Sequence, residues 1–463
     1  MDRREVDVTG LAAILEIQRR AFAKDGIPDL AVRRARLERL KAAIRAHKGD
    51  FVRAAAADFG RRPAEETIIL DLGPVVQAIN HMRRHLGRWM RPERRPVPFT
   101  LWPGRARVMR QPKAVVGIMA PWNHPFGLSF LPLATALAAG NRAMLKLSEQ
   151  APESARAMGA MLAECFAPEE VAVVTGGAEV GAAFAGLPFD HLVFTGSTEV
   201  GRKVMRAAAE SLVPVTLELG GKSPVILGRD ADFGKAARDI AFGKIANAGQ
   251  TCIAPDYVLV HEADADGFLA RLTAAMNRTL AGGQGMTTIV SDRHAGRLRA
   301  LVAEAEASGA KVAWIGGGGE GRQVAPALIT GAAALTAVMR EEIFGPLLPI
   351  LRYRDLVEAI AHVRAGPRPL ALYYYGGKEG RDTVLAGTIS GNVTVNGVMT
   401  HYAVESLPFG GIGASGMGAY HGREGFEAMS HARGVFDEPL RSLIPLGRPG
   451  GPFVKLLARY MMR

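Results

Sequence analysis

The pattern of apolar and polar residues changes near residue 114. Residues 30–90 contain few glycines and carry apolar side chains at three- and four-residue intervals, which predicts helices. From Ala114 onward, short β-branched runs alternate with stretches of helix length. Strands and helices that alternate at this spacing are typical of a doubly wound parallel sheet. The pattern therefore predicts an α/β protein.

The alternation predicts individual elements in two α/β lobes, which we expect to join near 217–221. The predicted strands are 114–120, 142–147, 171–175, 191–195, 225–227, 257–260, 311–315 and 370–374. The predicted helices are 128–139, 152–166, 198–211, 233–246, 266–278, 293–308 and 355–364. Prolines interrupt the chain at 92, 96, 98 and 103, so this part is predicted to cross the protein as an extended segment.

Composition narrows the class of protein. A chain of 463 residues is long enough for about two to four domains. Its two cysteines cannot form a disulfide framework, which favours a reducing compartment and a cytoplasmic location. No run approaches the ~20 apolar residues of a membrane span. The basic, amphipathic segment 453–463 fits a packed or frayed tail better than an anchor on a membrane surface.

The formal net charge of +12 raises the question of a nucleic-acid partner. Between Arg83 and Lys113 the chain has ten Lys or Arg and a single acid, Glu93. This segment is broken by prolines and lacks a recognition helix, a zinc-finger spacing or a stacking-aromatic motif. A solvated or inter-subunit surface is the better interpretation, and no nucleic-acid partner is expected.

Cys252 is the first candidate for chemistry. It ends the segment Gly-Gln-Thr-Cys at 249–252, where glycine and polar neighbours favour an accessible thiol. An accessible thiolate is a strong nucleophile toward carbonyl carbon. The alternative is a small buried hydrophobic residue, a description that suits Cys165 within its apolar surroundings.

Glu218 and Asn123 are the other two candidates for catalysis. Glu218 ends an apolar run, where partial desolvation raises the pKa of a carboxylate toward that of a useful base. An ion pair with Lys222 is the structural alternative. Asn123 lies in a Pro-Trp-Asn-x-Pro turn that could direct its amide at an oxyanion. Turn formation alone also accounts for an asparagine at this position.

Two further segments suggest a dinucleotide site. Small residues at 194–201 lie where a strand should lead into a helix, so a phosphate could approach backbone N–H groups there. A tight structural turn is the alternative. At 341–346, Glu342 could bind ribose hydroxyls while Phe344 confines a nicotinamide ring. The alternative is that residues 341–346 form a solvated segment that leads into a strand.

Five motifs taken together resemble the aldehyde dehydrogenase superfamily. In chain order they are Pro-Trp-Asn-x-Pro at 121–125, Phe-Thr-Gly-Ser at 194–197, Glu-Leu-Gly-Gly-Lys at 218–222, Gly-Gln-Thr-Cys at 249–252 and Glu-Glu-Ile-Phe-Gly-Pro at 341–346. Their order and spacing match that family from about residue 30 onward.

Within the superfamily, the class 3 branch is the most similar, in particular the bacterial coniferyl-aldehyde dehydrogenases. The short N-terminus and the segments 391–396 and 407–422 carry this likeness.

The resemblance implies a three-part architecture and a homodimer. A Rossmann-like cofactor domain is expected at 1–91 and 113–217, and a catalytic α/β domain at 218–390. A small β oligomerisation arm, with the C-terminal tail, is expected at 92–112 and 391–463.

The resemblance also implies roles for single residues. Cys252 attacks the aldehyde, the amide of Asn123 helps to hold the oxyanion, and Glu218 activates the water that hydrolyses the thioester. No metal is implied, and the cofactor is NAD, with NADP as an alternative. The expected cofactor-binding residues are Trp122, Lys146, Glu149, Gly196, Ser197, Glu342 and Phe344.

Several positions depart from the family pattern and leave the aldehyde open. They are His124, Leu147, Gly397 and the segment 281–286. Aromatic, phenylpropenoid (such as coniferyl aldehyde) and medium-chain aliphatic aldehydes all remain candidates. Transfer of the acyl group to CoA and a non-catalytic binding relative are the competing functions, and both are disfavoured because Cys252 and Glu218 are present.

Overall fold

The computed structural model describes residues 8–281, 285–438 and 450–462. Some predictions fall outside these described residues. They concern the start of the predicted cofactor domain (1–7), part of the predicted arm (439–449), the final residue of the tail, and residues 282–284 of the segment 281–286. The helices are α1 (Val8–Asp25), α2 (Leu30–Ala46), α3 (Lys48–Phe59), α4 (Ala64–Glu66), α5 (Gly73–Trp89), α6 (Gly127–Ala139), α7 (Pro152–Cys165), α8 (Ala178–Ala185), α9 (Thr198–Ala209), α10 (Phe233–Ile245), α11 (Ala265–Ala281), α12 (Asp292–Ala307), α13 (Ala337–Arg340), α14 (Leu356–Ala365), α15 (Lys378–Gly387), α16 (Gly422–Ala428) and α17 (Pro452–Met461). The strands are β1 (Glu93–Arg95), β2 (Arg105–Pro112), β3 (Val115–Met119), β4 (Arg142–Lys146), β5 (Val171–Val174), β6 (His191–Thr195), β7 (Val215–Glu218), β8 (Pro224–Leu227), β9 (Tyr257–His261), β10 (Lys311–Trp314), β11 (Ala327–Thr330), β12 (Leu347–Tyr353), β13 (Ala371–Tyr375), β14 (Asn392–Val395), β15 (Gly416–Met417) and β16 (Ser430–Asp437).

Within the described ranges, these strands form three sheets. A six-stranded sheet has the order β15-β7-β6-β3-β4-β5, and a seven-stranded sheet has the order β10-β11-β12-β9-β8-β13-β14. Both are parallel except for β15 and β10, which pair antiparallel to β7 and β11. The third sheet, β1-β2-β16, is antiparallel. The predicted α/β class is confirmed, and the chain passes from one large sheet to the other between Glu218 and Pro224.

The predicted strands and helices agree with the observed elements to within three residues at each end. Among the elements that the pattern missed are α1, α8, α15, β11, β12 and β14. It also missed a π-helical segment, Thr67–Leu72, that interrupts the predicted helical region. An apolar run does not by itself reveal its helix type, because α- and π-helical turns bury the same kinds of residue.

The C-terminal part of the chain is distributed differently from the expected arm at 391–463. β14 extends the seven-stranded sheet beside β13, and β15 pairs with β7 of the six-stranded sheet. Of these three strands, only β16 joins the antiparallel sheet, where it pairs with β2 along eight positions. The domain boundaries and the role of this sheet in oligomerisation stay predictions.

The core runs through both large sheets. All thirteen residues of α6 are buried, and this helix packs against α2, α5 and β3. Its N-terminal end follows the loop after β3, so the position of that loop is fixed by the most buried helix of the protein. Among the helices that the structure describes, none combines the length and hydropathy needed to cross a membrane.

Candidate active site

Most of the predicted site residues lie along one edge of the six-stranded sheet. β3, β4, β6 and β7 are parallel, so their carboxyl ends meet at the same edge. The chain proceeds in opposite directions from β3, which leaves a crevice at this edge where α/β proteins bind ligands. The predicted residues at or just beyond these strand ends are Trp122, Asn123, Lys146, Glu149, Gly196, Ser197 and Glu218.

Cys252 follows a strained turn after α10. Asn247, Ala248 and Gly249 adopt positive φ angles of 50°, 54° and 68° in succession. Two of these are not glycine, so the turn is held by its surroundings rather than by intrinsic preference. A side chain on Gly249 would meet the carbonyl of Gly345. The turn leaves the Cys252 side chain partly exposed.

Buried amides hold this turn against the loop after β3. The Gln250 side chain donates to the carbonyl of Asn247 at 3.0 Å and accepts from the N–H of Val290 at 2.9 Å. Asn247 Nδ2 donates to the carbonyls of Asn123 and Gln250, at 3.0 and 3.1 Å. Asn123 Nδ2 donates to the Gln250 carbonyl at 3.1 Å. Residues 123 and 250, distant in sequence, are therefore joined beside Cys252.

Glu218 is a buried carboxylate without a partner. It is 2% exposed, and neither oxygen receives a hydrogen bond from any residue that the structure describes. Burial raises the pKa of this carboxyl well above its ordinary value. Unsatisfied buried polar groups are rare, and a catalytic role is one of the accepted reasons for them.

The alternative ion pair between Glu218 and Lys222 is wrong. Lys222 instead pairs with Asp256. Its ammonium group also donates to the carbonyls of Val338 and Glu341, both at 2.9 Å. Asp256 lies 34 residues further along the chain, so local sequence could not reveal this partner. Lys222 thereby anchors the segment that leads to Glu342.

The surroundings of Cys252 favour its protonated thiol. Burial, the carboxyl of Glu342 and the carboxyl of Glu218 all raise its pKa above the ordinary value. A neutral thiol is a poor nucleophile, so reaction requires a base or a neighbouring positive charge. Cys165, by contrast, packs beside the core and directs its S–H at Met161 Sδ, 3.9 Å away.

The residues predicted for the dinucleotide divide between two clusters. In the first, the largely buried Lys146 forms a 2.6 Å ion pair with the half-exposed Glu149. Ser197 caps α9, accepting from the N–H of Val200 at 3.4 Å, and the N–H of Gly196 donates to the Glu218 carbonyl at 3.0 Å. This geometry serves a structural turn, and it also places the positive N-terminal end of α9 at the crevice.

The second cluster joins Glu342, Phe344 and Trp122. The Glu342 carboxylate lies against Gly220, so this half-buried residue is not surrounded by solvent alone. Burial raises its pKa to about 8. Phe344 has a φ of 50°, and its ring lies 5.5 Å from that of Trp122 at an angle of 79°. Two segments that are distant in sequence thus meet in one wall.

A cavity of about 260 Å³ opens at Cys252. Sequence reasoning missed most of its lining, because the contributing residues come from the π-helical segment, α10 and the loop after β14. Its apolar lining residues are Ile69, Leu70, Pro74, Leu128, Phe242, Ile253, Val398, Met399 and Ala403. Small-molecule sites are commonly lined in this way, with few polar groups.

His124 is one of the polar groups of this cavity. It is 8% exposed, and its Nε2 lies 2.9 Å from Thr251 Oγ1. Burial lowers its pKa to about 3, so the imidazole is neutral. Among the described residues, no cluster of three or more His, Cys, Asp or Glu is placed to hold a metal ion.

A family model described as "Aldehyde dehydrogenase family" matches residues 7–435. The chain belongs to the aldehyde dehydrogenase family. It is an NAD(P)-dependent aldehyde dehydrogenase, as the five ordered motifs predicted, and its likeness to the class 3 branch is confirmed.

Individual relatives cover almost the whole dehydrogenase. The "Probable coniferyl aldehyde dehydrogenase" of Caulobacter vibrioides is 45% identical, over 97% of this chain and 95% of that protein. The coniferyl aldehyde dehydrogenase of Pseudomonas sp. strain HR199 is 45% identical over 92% and 90%. The substrate-bound AldH of Staphylococcus aureus superposes with a TM-score of 0.91 at 35% identity, over 97% of this chain and 99% of that one. This superposition confirms the predicted aldehyde dehydrogenase fold.

Proposed function

We propose that this dehydrogenase oxidises aromatic aldehydes of the phenylpropenoid type, such as coniferyl aldehyde, to their carboxylic acids. The observation that carries the proposal is the apolar cavity that opens at the Cys252 thiol. A planar ring would bury its faces against Leu128, Phe242 and Val398, which favours binding in proportion to the apolar area removed from water. The identity to proteins named coniferyl aldehyde dehydrogenase supports the same class of substrate.

In the first step, the thiol of Cys252 loses its proton to solvent, and the thiolate sulfur attacks the carbonyl carbon. The electron pair of the C=O π bond moves to oxygen, which gives the oxyanion of a thiohemiacetal. Asn123 Nδ2 and the backbone N–H of Cys252 stabilise the oxyanion. Asn123 is suited to this role because one amide hydrogen is used by the Gln250 carbonyl, which fixes the direction of the other. The thiohemiacetal becomes a thioester when its hydride leaves.

In the second step, Glu218 removes a proton from the water that attacks the thioester. A carboxylate without hydrogen bonds from described residues is free to turn toward that water. Its raised pKa also makes it a stronger base than an ordinary carboxylate. Hydrolysis is therefore favoured over transfer to CoA, because the base that water needs is present.

The residues at the sheet edge fit a nicotinamide dinucleotide. A bound nicotinamide would supply the acceptor for the hydride that the thiohemiacetal loses. The N-terminal end of α9 with Ser197 suits the pyrophosphate, Lys146 and Glu149 suit the adenosine ribose, and Glu342 with Phe344 suits the nicotinamide side. We infer a preference for NAD over NADP, because the carboxylate of Glu149 would repel a 2′-phosphate.

The preference for NAD should weaken in Glu149→Gln. Removing this half-exposed charge is expected to raise the ratio of kcat/KM for NADP to that for NAD by roughly ten-fold, since nearby charges interact by about 1–4 kcal/mol. The measurement is NADH or NADPH formation with a fixed aldehyde. Glu153→Gln removes an acid of similar exposure a few residues away and should leave the ratio unchanged. An unchanged ratio in Glu149→Gln would show that another group selects the cofactor.

A panel of aldehydes tests the substrate class. We expect kcat/KM for coniferyl aldehyde and cinnamaldehyde to exceed that for hexanal and decanal by ~10-fold or more, because a pocket distinguishes substrates by the area it buries. NADH absorbance is the readout. Equal or higher values for the aliphatic series would assign the enzyme to medium-chain aldehydes. Formation of acyl-CoA when CoA is added would contradict the hydrolytic step.

We also propose that the enzyme acts as a homodimer in the cytoplasm. The antiparallel sheet β1-β2-β16 and its neighbouring residues expose the large apolar side chains of Phe99, Trp102 and Phe436. Exposed apolar side chains grouped in this way favour association with another chain. The two unpaired cysteines agree with a reducing compartment.

A further inference from the structure

A fully buried ion pair lies directly behind the proposed oxyanion donor. The side chains of Arg62 and Asp71 are both 0% exposed, with Nη2 3.3 Å from Oδ2. The other terminal nitrogen of Arg62, Nη1, donates to the backbone carbonyl of Asn123 at 3.0 Å. Asp71 Oδ1 accepts from the N–H of Gly127, the first residue of α6. The pair thus contacts the loop that carries Asn123 at two points, at Asn123 itself and where the loop enters α6.

A buried ion pair is a poor means of stabilising a fold. Removing two charges from water costs several kcal/mol per ion, and their attraction often only offsets that cost. Here the guanidinium is directed at one carbonyl of the reactive loop, which also accepts from Asn247 Nδ2 at 3.0 Å. The backbone of Asn123 is therefore fixed by two donors, while its amide is fixed by the Gln250 carbonyl.

The ion pair also connects this loop to the substrate cavity. Asp71 lies in the π-helical segment Thr67–Leu72, and the same segment places Ile69 and Leu70 in the cavity wall. π-helical turns are frequent at functional sites. One buried pair therefore ties the cavity wall to the residue that would hold the oxyanion.

We propose that Arg62 and Asp71 are positioning residues that set the direction of the Asn123 amide toward the oxyanion. The proposal rests on the role of Asn123 given under the proposed function. It assigns neither residue a contact with substrate or cofactor. Their effect on turnover passes through Asn123, and this property distinguishes them from residues that only stabilise the fold.

The variants Arg62→Lys and Arg62→Met/Asp71→Asn test this role. Lysine keeps the positive charge, but it lacks the planar guanidinium group with which Arg62 binds Asp71 and the Asn123 carbonyl at the same time. The double variant removes both charges and keeps an amide oxygen for Gly127, which avoids an unpaired buried charge. We expect kcat to fall by ~10–100-fold in the double variant and less in Arg62→Lys, since a displacement of about 1 Å can cost ~10²-fold. The KM for aldehyde and the Kd for NAD should stay within ~3-fold.

Arg33→Met is the matched control. Arg33 is 1% exposed, and its Nη1 donates to the carbonyls of Ala138 and Ala139 at 3.2 and 2.7 Å, at the far end of α6. The substitution Arg33→Met therefore removes a buried guanidinium group that, like that of Arg62, binds backbone carbonyls, but at a place away from the site. We expect its Tm to fall while kcat at 25 °C stays unchanged. A kcat loss in Arg33→Met equal to that in the Arg62 variants would attribute both to general loss of structure.

A double-mutant cycle with Asn123→Ala tests whether Arg62 and Asp71 act through Asn123. If Arg62 acts through Asn123, adding Arg62→Lys or the double variant to Asn123→Ala should cause no further loss of kcat. Full activity in Asn123→Ala alone would overturn the proposed oxyanion donor. A large loss in Asn123→Ala combined with wild-type kcat in both Arg62 variants would overturn only the positioning role. Equal fold losses with and without Asn123 would also overturn it.

Discussion

Cys252→Ala is expected to abolish aldehyde oxidation while dinucleotide binding persists. Without the sulfur no thiohemiacetal forms, and loss of a covalent nucleophile typically lowers kcat by ~10⁴-fold or more. The thiol lies at the mouth of the apolar cavity, so alanine leaves the cavity wall nearly intact. NADH formation measures the first effect, and quenching of protein fluorescence by NAD measures the second.

Cys165→Ala provides a close control within the same chain. Cys165 is the last residue of α7, and its thiol lies against the core with a weak contact to Met161 Sδ. Activity in this variant should equal that of the wild type. Substantial turnover in Cys252→Ala, or a comparable loss in Cys165→Ala, would contradict covalent catalysis by Cys252.

Glu218→Gln is expected to separate the two halves of the reaction. Glutamine preserves the size of the side chain but cannot accept a proton, so hydrolysis of the thioester should slow by ~10²–10⁴-fold. The first turnover does not require this base for water. We therefore expect a rapid burst of about one NADH per subunit, followed by a slow steady state.

The pH dependence gives a second test of Glu218. Its raised pKa means that the carboxyl stays protonated further up the pH scale than an ordinary glutamate. The carboxylate form of Glu218, which acts as the base, is populated as the pH rises through this raised pKa. The steady-state rate should therefore increase with pH, over a pH range above that in which a free glutamate titrates. In Glu218→Gln this limb should disappear while the burst remains.

Glu405→Gln is the matched control for both measurements. Glu405 is 8% exposed, its two oxygens have no partner among the described residues, and burial raises its pKa to about 8. It has no place in the proposed chemistry. An unchanged burst, kcat and pH profile are expected. Loss of the burst itself in Glu218→Gln would indicate that Glu218 acts before hydride transfer rather than on water.

The sequence predicted most of the fold, because its strongest signals are local. β-branched runs between glycines and prolines located β3, β4, β5 and β6 of the six-stranded sheet, and the structure places Asn123 and Glu218 at one edge of that sheet. The order of five short motifs pointed to the family. Cys252 was identified for the same reason, since its neighbours are small and polar.

The parts that the sequence could not predict depend on long-range packing. An ion pair with Lys222 was the structural alternative for Glu218, yet the partner of Lys222 is Asp256. Ile69 and Leu70 look like ordinary helical residues, and only the π-helical turn places them in the cavity. Arg62 lies 61 residues before the carbonyl it binds. No local pattern encodes such a pair.

The pairing of β15 with β7 affects how this protein is made on the ribosome. β7 carries Glu218 and gains its second neighbour only from residues 416 and 417, and the N–H of Leu219 donates to Ser415 at 3.0 Å. Translation delivers those residues about two hundred positions later. Until then the nascent chain presents an open strand edge, the kind of surface that recruits other chains. Protection by a chaperone during synthesis would matter most in that interval.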